Sequence, residues 1–134
     1  MSRLVLVVDD SDTIRELICL NLEFEGYDVE QAADAQACLE RLDAVHSRGA
    51  RRPDMLLLDV VMPGMDGFRL TTRLKGDPAT ADIPILIVSA SAQQRDFELA
   101  RQARADGYLT KPFDPTTLVA QVRELAGPPD DAPS

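Results

Sequence analysis

The chain has 134 residues, with 23 Asp and Glu against 14 Lys and Arg and a net charge of −9. That length suits one domain with no room for a second catalytic or DNA-binding module, and the acidic surplus repels a phosphate backbone, so no nucleic-acid partner is expected. Hydrophobic residues make up 45% and charged residues 28%, the balance of a folded globular protein, and the apolar run 4–8 is too short for a signal-peptide core or a membrane span, so a cytoplasmic location away from membranes is expected.

Short runs rich in Val, Ile and Leu alternate with longer segments of helical period, five times over, which is the pattern of βα units wound around a parallel sheet. The first run, Leu4-Val5-Leu6-Val7-Val8, has no polar alternation and predicts a strand buried on both faces. Ile14, Leu17, Ile18 and Leu22 then recur in steps of three and four, which predicts a helix with Asp12 as its N-cap and Gly26 as its stop. A short strand over 27–31 is expected nearer an edge. A second helix should begin at Ala35, with Cys38, Leu42 and Val45 inward and Gly49 past its end. Cys19 and Cys38 have no C-x-x-C spacing and His46 is the single histidine, so both cysteines read as packing residues and His46 as a surface residue. The basic stretch Arg48 to Arg52 reads as a solvated loop.

Met55-Leu56-Leu57-Leu58 predicts a third strand ending on Asp59, followed by a Pro63-Gly64 turn and a short helix capped by Asp66 that buries Phe68 and Leu74. Ile85-Leu86-Ile87-Val88 is the fourth strand, ending on Ser89. The fourth helix, 93–104, has a weak inner stripe of Phe97, Ala100 and Ala103 and carries Arg95, Arg101 and Arg104 outside, so it should be the least firmly packed. A brief strand over 107–110 leads to Lys111-Pro112-Phe113. Asp114 then caps a last helix with Pro115 in its first position and Leu118, Val119, Val122, Leu125 and Ala126 inward. One domain over 1–127 is expected, with 128–134 as a disordered, acidic, Pro-rich tail.

The polar residues collect at strand ends: Asp9 and Asp10 after the first, Asp59 after the third, Ser89 after the fourth and Lys111 after the fifth. Right-handed crossovers would bring them to one sheet edge, where open α/β sheets bind ligands. Simple capping of turns and helices is the competing reading, and it suits Asp12 and Asp66 better. Three gathered carboxylates raise one another's pKa unless a cation offsets them, and all-oxygen ligation suits Mg²⁺ or Mn²⁺. An Asp can then act as a nucleophile toward phosphorus, with Lys111 and Ser89 as the cation and hydroxyl around the transferred oxygens.

In these residues the chain resembles the receiver domain of two-component response regulators. The likeness runs from Leu4 to Ala126 and rests on Val7-Val8-Asp9-Asp10-Ser11, Leu58-Asp59-Val60-Val61-Met62-Pro63-Gly64-Met65-Asp66-Gly67, Val88-Ser89-Ala90 and Tyr108-Leu109-Thr110-Lys111-Pro112-Phe113. The resemblance implies a flavodoxin-like (βα)5 fold with strand order 2-1-3-4-5. It also implies that Asp59 is the phosphoacceptor and that Asp10, Asp59 and the backbone carbonyl of Val61 hold the metal, with Asp9 acting mostly through a metal-bound water. Lys111 would pair with the phosphoryl group, Ser89 and Tyr108 would form the switch, and the Lys111-Pro112 bond would be cis. Val61 and Ser91 would tune dephosphorylation. The implied partners are a sensor histidine kinase or histidine phosphotransfer protein and a downstream protein met by the surface of the fourth helix, fifth strand and fifth helix; a phosphorylation-dependent homodimer stays open. On this reading the chain is a stand-alone signalling module that catalyses only its own phosphorylation and dephosphorylation. Two alternatives stand beside it: a small phosphatase of the haloacid-dehalogenase type using Asp10, which leaves Asp59 unexplained and finds Ile14 where a Thr is needed, and a receiver-fold scaffold that takes no phosphate.

Overall fold

In the computed structural model, which describes residues 2–130, strands and helices alternate along the chain. They are β1 (Leu4–Val8), α1 (Asp12–Phe24), β2 (Asp28–Ala32), α2 (Ala35–Ser47), β3 (Met55–Asp59), α3 (Gly67–Lys75), β4 (Ile85–Ser89), α4 (Gln94–Gln102), β5 (Gly107–Thr110) and α5 (Pro115–Ala126). The five strands form one parallel sheet in the order β2-β1-β3-β4-β5. This is the doubly wound, flavodoxin-like order, and the chain reverses its direction of winding between β1 and β3.

Every residue of β1, β3 and β4 is buried, as their unbroken apolar runs require of strands covered on both faces. Alternate side chains divide between two cores. Leu6, Val8, Leu56, Leu58, Ile85 and Ile87 meet Cys38 and Leu42 of α2, Leu70 and Leu74 of α3 and Ala100 of α4. Val5, Val7, Met55, Leu57, Leu86 and Val88 meet Ile18 and Leu22 of α1 and Leu118 and Val122 of α5. Each fully buried Leu or Ile stabilises the fold by roughly 1.5–3 kcal/mol relative to exposure. The edge strand β2 buries only Ala32. Among the described residues no helix is long and apolar enough to cross a membrane.

Several local expectations shift. Ser11, not Asp12, caps α1: its hydroxyl accepts from the Ile14 amide at 3.2 Å, while the Asp9 carboxylate takes the Ser11 amide at 2.9 Å and so fixes Ser11 as the last residue before the helix. Asp12 lies in the first turn and pairs with Arg15. Asp66 and Asp114 cap α3 and α5 as expected, and Asp34 caps α2. β2 begins one residue late because Tyr27 is buried and its hydroxyl donates to the Gly127 carbonyl at 2.7 Å. α2 buries Ala44, with Val45 only half-buried; α3 buries Leu70, with Phe68 half-buried. α4 is shorter than the 93–104 expected, since Arg104 adopts φ 68° and ends it. It has no side-chain cap and Ala100 is its one buried residue, so it is the least secured helix. Arg51 and Arg52 are not a free solvated stretch: they pair with Asp28 and Asp82. Beyond α5 the Arg3 amide donates to the Pro129 carbonyl at 2.7 Å and Ser2 bridges Asp130, while 131–134 lie outside the described residues.

The residue that fixes the loop after β3 is Gly67. A Cβ at this position would lie 2.3 Å from the Asp59 carbonyl oxygen and 3.0 Å from the Val60 Cα, and the Gly67 amide donates to the Val60 carbonyl at 2.9 Å. Only a residue without a side chain lets the first turn of α3 sit against the end of β3. Gly67→Ala is therefore expected to destabilise the fold by about 3 kcal/mol, the upper range for overpacking, because rigid backbone has to move; denaturant unfolding measures it, and a loss under about 0.5 kcal/mol, as at an ordinary surface site, contradicts the close approach.

Cys19 and Cys38 are free and buried. Burial, helped by Glu23, pushes the Cys19 thiol up to about 11, and burial pushes Cys38 up to about 12. Both stay protonated near neutrality, so the folded protein at about pH 8 should take no iodoacetamide while the unfolded chain takes two equivalents; rapid native labelling, read by mass, contradicts this burial.

Candidate functional site

The carboxyl ends of β1, β3, β4 and β5 meet beside the winding reversal. Asp9 directly follows β1, Asp59 ends β3, Ser89 ends β4 and Lys111 follows β5. Carboxylate oxygens of Asp9, Asp10 and Asp59 all lie within 4.8 Å of one another. Asp9 and Asp59 are buried, whereas Asp10 is exposed at the mouth.

One cation stands among them. The Lys111 ammonium donates to Asp9 Oδ2 at 3.0 Å and to Asp59 Oδ1 at 3.2 Å, so residues 102 and 52 positions apart in sequence are tied together. The Lys111 amide also donates to the Ser89 carbonyl at 2.7 Å, and the Lys111-Pro112 bond is cis. Asp9 is held on both oxygens, since its Oδ1 accepts the Ser11 amide. Arg15, not singled out in the sequence, supports this corner by donating to the Asp9 carbonyl at 2.5 Å and by pairing with Asp12.

The charge balance is unfavourable to a third anion. Burial raises the Asp59 pKa, the neighbouring Asp9 charge raises it further, and Lys111 offsets this only in part. For Lys111 burial acts to lower the pKa, yet the hydrogen bond to Asp9 and the charges of Asp59 and Asp9 outweigh it and hold the ammonium protonated. The cluster is thus an all-oxygen, cation-seeking donor set with one ammonium against three carboxylates, the chemistry expected of a hard divalent ion.

Ser89 is buried and its hydroxyl accepts from the Ser91 amide at 3.1 Å. Ser91 is a hub that sequence reading placed only through family likeness: its hydroxyl accepts from the Gln93 amide at 3.2 Å and donates to Asp96, and its carbonyl accepts the Tyr108 hydroxyl at 2.7 Å. Tyr108 is half-buried, with its ring edge-on to Phe97 at 4.6 Å. Val61 is 77% exposed and lines an open cleft with Ser89, Ser91 and Arg95. His46 is exposed in the last turn of α2, where it lines a pocket between α2 and α3 that holds none of these site residues.

Comparison with known proteins gives the same arrangement a lineage. The chain is 40% identical over 132 residues to the DNA-binding dual master transcriptional regulator RpaA of Synechocystis, covering 96% of this chain and 51% of that protein. It is 42% identical over 121 residues to the transcriptional regulatory protein CseB of Streptomyces coelicolor, covering 90% and 48%. The chain thus spans about half the length of these curated relatives. Among solved structures, the chemotaxis protein CheY4 of Vibrio cholerae superposes with a TM-score of 0.82 at 30% identity, covering 93% of this chain and 99% of CheY4. A CheY-like receiver domain protein of Methanospirillum hungatei gives a TM-score of 0.82 at 27% identity, with 94% of each chain covered. The model of the response regulator receiver domain matches residues 5–123, from within β1 through most of α5, and the chain therefore belongs to the receiver domains of two-component response regulators.

Proposed function

We propose that the chain is a phosphorylation switch whose phosphoacceptor is Asp59. The observation that carries this reading is the Lys111 ammonium shared by two buried carboxylates, one of which ends the strand at the winding reversal. Asp59 is the member with an oxygen left over: Lys111 binds Oδ1, and no hydrogen bond within the described residues occupies Oδ2. Asp9 has both oxygens engaged and Asp10 is exposed, so neither is as well placed to be the nucleophile. This also disfavours a phosphatase working from Asp10.

The donor set fits Mg²⁺ or Mn²⁺, which Asp9, Asp10, Asp59 and the Val61 backbone carbonyl would hold and which would offset negative charge on the carboxylates and on a phosphoryl group. The Asp59 carboxylate oxygen forms the new P–O bond while the P–N bond to the imidazole of a phosphohistidine, on a sensor kinase or phosphotransfer protein, breaks and the imidazole leaves with the electron pair. A small acyl phosphate can serve as donor in the same way. Lys111 loses half of its carboxylate partnership as Asp59 becomes an acyl phosphate and turns to a phosphoryl oxygen. Ser89 offers its hydroxyl to another.

Phosphorylation adds about −1 to the charge of the ionised carboxylate it replaces, since the group carries roughly −2. Movement of the Ser89 hydroxyl toward the phosphoryl group removes the acceptor of the Ser91 amide, and Ser91 holds both Tyr108 and the first turn of α4. The least secured helix is thus the one tied to the switch, and the face of α4, β5 and α5 changes its affinity for a downstream protein. Val61 and Ser91, on the cleft beside Ser89, set access of water to the acyl phosphate and hence its lifetime.

Two measurements check this. Incubation with acetyl phosphate and Mg²⁺, read by intact mass, should add one phosphoryl group to the wild type and none to Asp59→Asn, and should fall at least about tenfold in rate in Lys111→Ala; a gain retained in Asp59→Asn, or no gain under any donor or divalent cation, overturns the reading. The pKa of Asp59 is raised in the fold above its usual 3.8, so its favourable contribution is full below that value and is lost as pH rises through the folded pKa. Metal-free Asp59→Asn should accordingly melt above the wild type at neutral pH, with the difference vanishing below about pH 4; a lower Tm at neutral pH contradicts the charge balance described.

A further inference from the structure

We propose that the groove between α3 and α4 docks an acidic amphipathic helix of a partner protein. The groove has a volume of about 470 Å³ and an apolar floor of Met65, Phe68, Leu99 and Ala103, with Arg69 and Arg73 on its rim. Leu99 is 38% exposed there, on a helix otherwise anchored by Ala100. Among the described residues no Asp or Glu lines it.

Among the described residues seven of the 14 basic residues are paired within the chain, and the two rim arginines belong to the other seven. Arg15, Arg41, Arg51, Arg52, Lys75, Arg101 and Lys111 all reach a carboxylate. Arg69 and Arg73 are exposed and make no ion pair or side-chain hydrogen bond within the described residues, in a protein of net charge −9. They stand four residues apart on one helix face, where like charges repel. Arg73 lies in the last turn of α3, where the helix dipole favours a cation, but Arg69 lies in the first turn, where the dipole opposes one. Among the described residues no ion pair uses Arg69; an external carboxylate would supply one.

The shape selects the occupant. A concave channel between two helices receives the ridge of a third, with apolar anchors at i, i+3, i+4 and i+7 on the floor and acidic residues facing the arginines. A flat bilayer cannot reach the floor, and a nucleic acid makes no use of it and is repelled by the net charge. The groove shares α4 with the phosphorylation reading, but no carboxylate of the Asp59 cluster lines it, so binding to the unphosphorylated chain tests it independently.

The test uses the whole chain and an N-acetylated, C-amidated peptide of about 16 residues, Glu- and Ala-rich with Leu and Phe at the four anchor positions, against a counterpart with every Glu replaced by Lys. Amide NMR shifts should move at α3 and α4 with the acidic peptide, not with the basic one, and equally in Asp59→Asn, so that failure of the phosphorylation reading leaves this one standing. Arg69→Glu/Arg73→Glu should weaken binding at least about tenfold, and the milder Arg69→Gln/Arg73→Gln should lie between. Equal binding of both peptides, shifts confined to α1 and α5, undiminished binding by the folded double variants, or the same shifts produced by raising protein concentration alone, which would identify a second copy as the occupant, each overturn the proposal.

Discussion

One ammonium ion between two buried carboxylates sets the terms for the rest of the molecule. Lys111 can neutralise one of Asp9 and Asp59 but not both, and Asp10 adds a third negative charge at the mouth. Removing either carboxylate's partner from such a site is costly because the charge left behind stays desolvated. The fold holds the group together through features of the sheet that have nothing to do with charge: three strands buried on both faces, two apolar layers, and a glycine that lets α3 close against the end of β3. Apolar packing thus holds an electrostatic imbalance in place, and on the reading advanced above that imbalance makes the edge receptive to a divalent cation and to a phosphoryl group.

The consequence is a division of labour within one sheet. The face covered by α1 and α5 has large side chains locked in, Ile18, Leu22, Leu118 and Val122 among them. On the opposite face α4 contributes Ala100 alone from its length and lacks a side-chain cap. Ser91 joins that weak element to Ser89 at the site and to Tyr108 on the neighbouring strand, so a change at the strand ends reaches the element that needs least free energy to rearrange. Lys75 counters this at the other end: its ammonium binds the Ala81 and Ile83 carbonyls and Asp106, and Asp106 also accepts the Ile85 amide, which pins the turn between α4 and β5. The first turn of α4 is therefore held through Ser91 and Tyr108, while its far end is pinned independently of the site.

Much of this was legible in the chain itself because the signals were either periodic or local. Unbroken apolar runs identify β1, β3 and β4, whose ends place Asp9, Asp59 and Ser89 together, and the short run of β5 adds Lys111. What escaped depends on which atoms the fold brings into contact, whether near or far along the chain. Ser11 and Asp12 are equally good caps by type, and only the Asp9 carboxylate on the Ser11 amide decides between them. Arg51 and Arg52 read as solvent-facing because Asp28 and Asp82 lie 23 and 30 residues away. Gly67 read as part of a motif, and its steric reason appears only when the Asp59 carbonyl is seen 2.3 Å from where a Cβ would stand. The hub at Ser91 has no sequence signal of its own, since a serine in a turn is common and its four bonds are made by four different segments of backbone and side chain.

The central claim is that Asp59 takes a phosphoryl group and that Ser89, Ser91 and Tyr108 carry the effect to α4. Titration with beryllium fluoride in the presence of Mg²⁺, which mimics a phosphoryl group on a carboxylate, followed by amide NMR, tests both parts at once. The account predicts saturable shifts at Asp59, Ser89, Ser91 and Tyr108 that extend along α4 and are absent in Asp59→Asn. Shifts that stop at the strand ends, or that persist in Asp59→Asn, would contradict it.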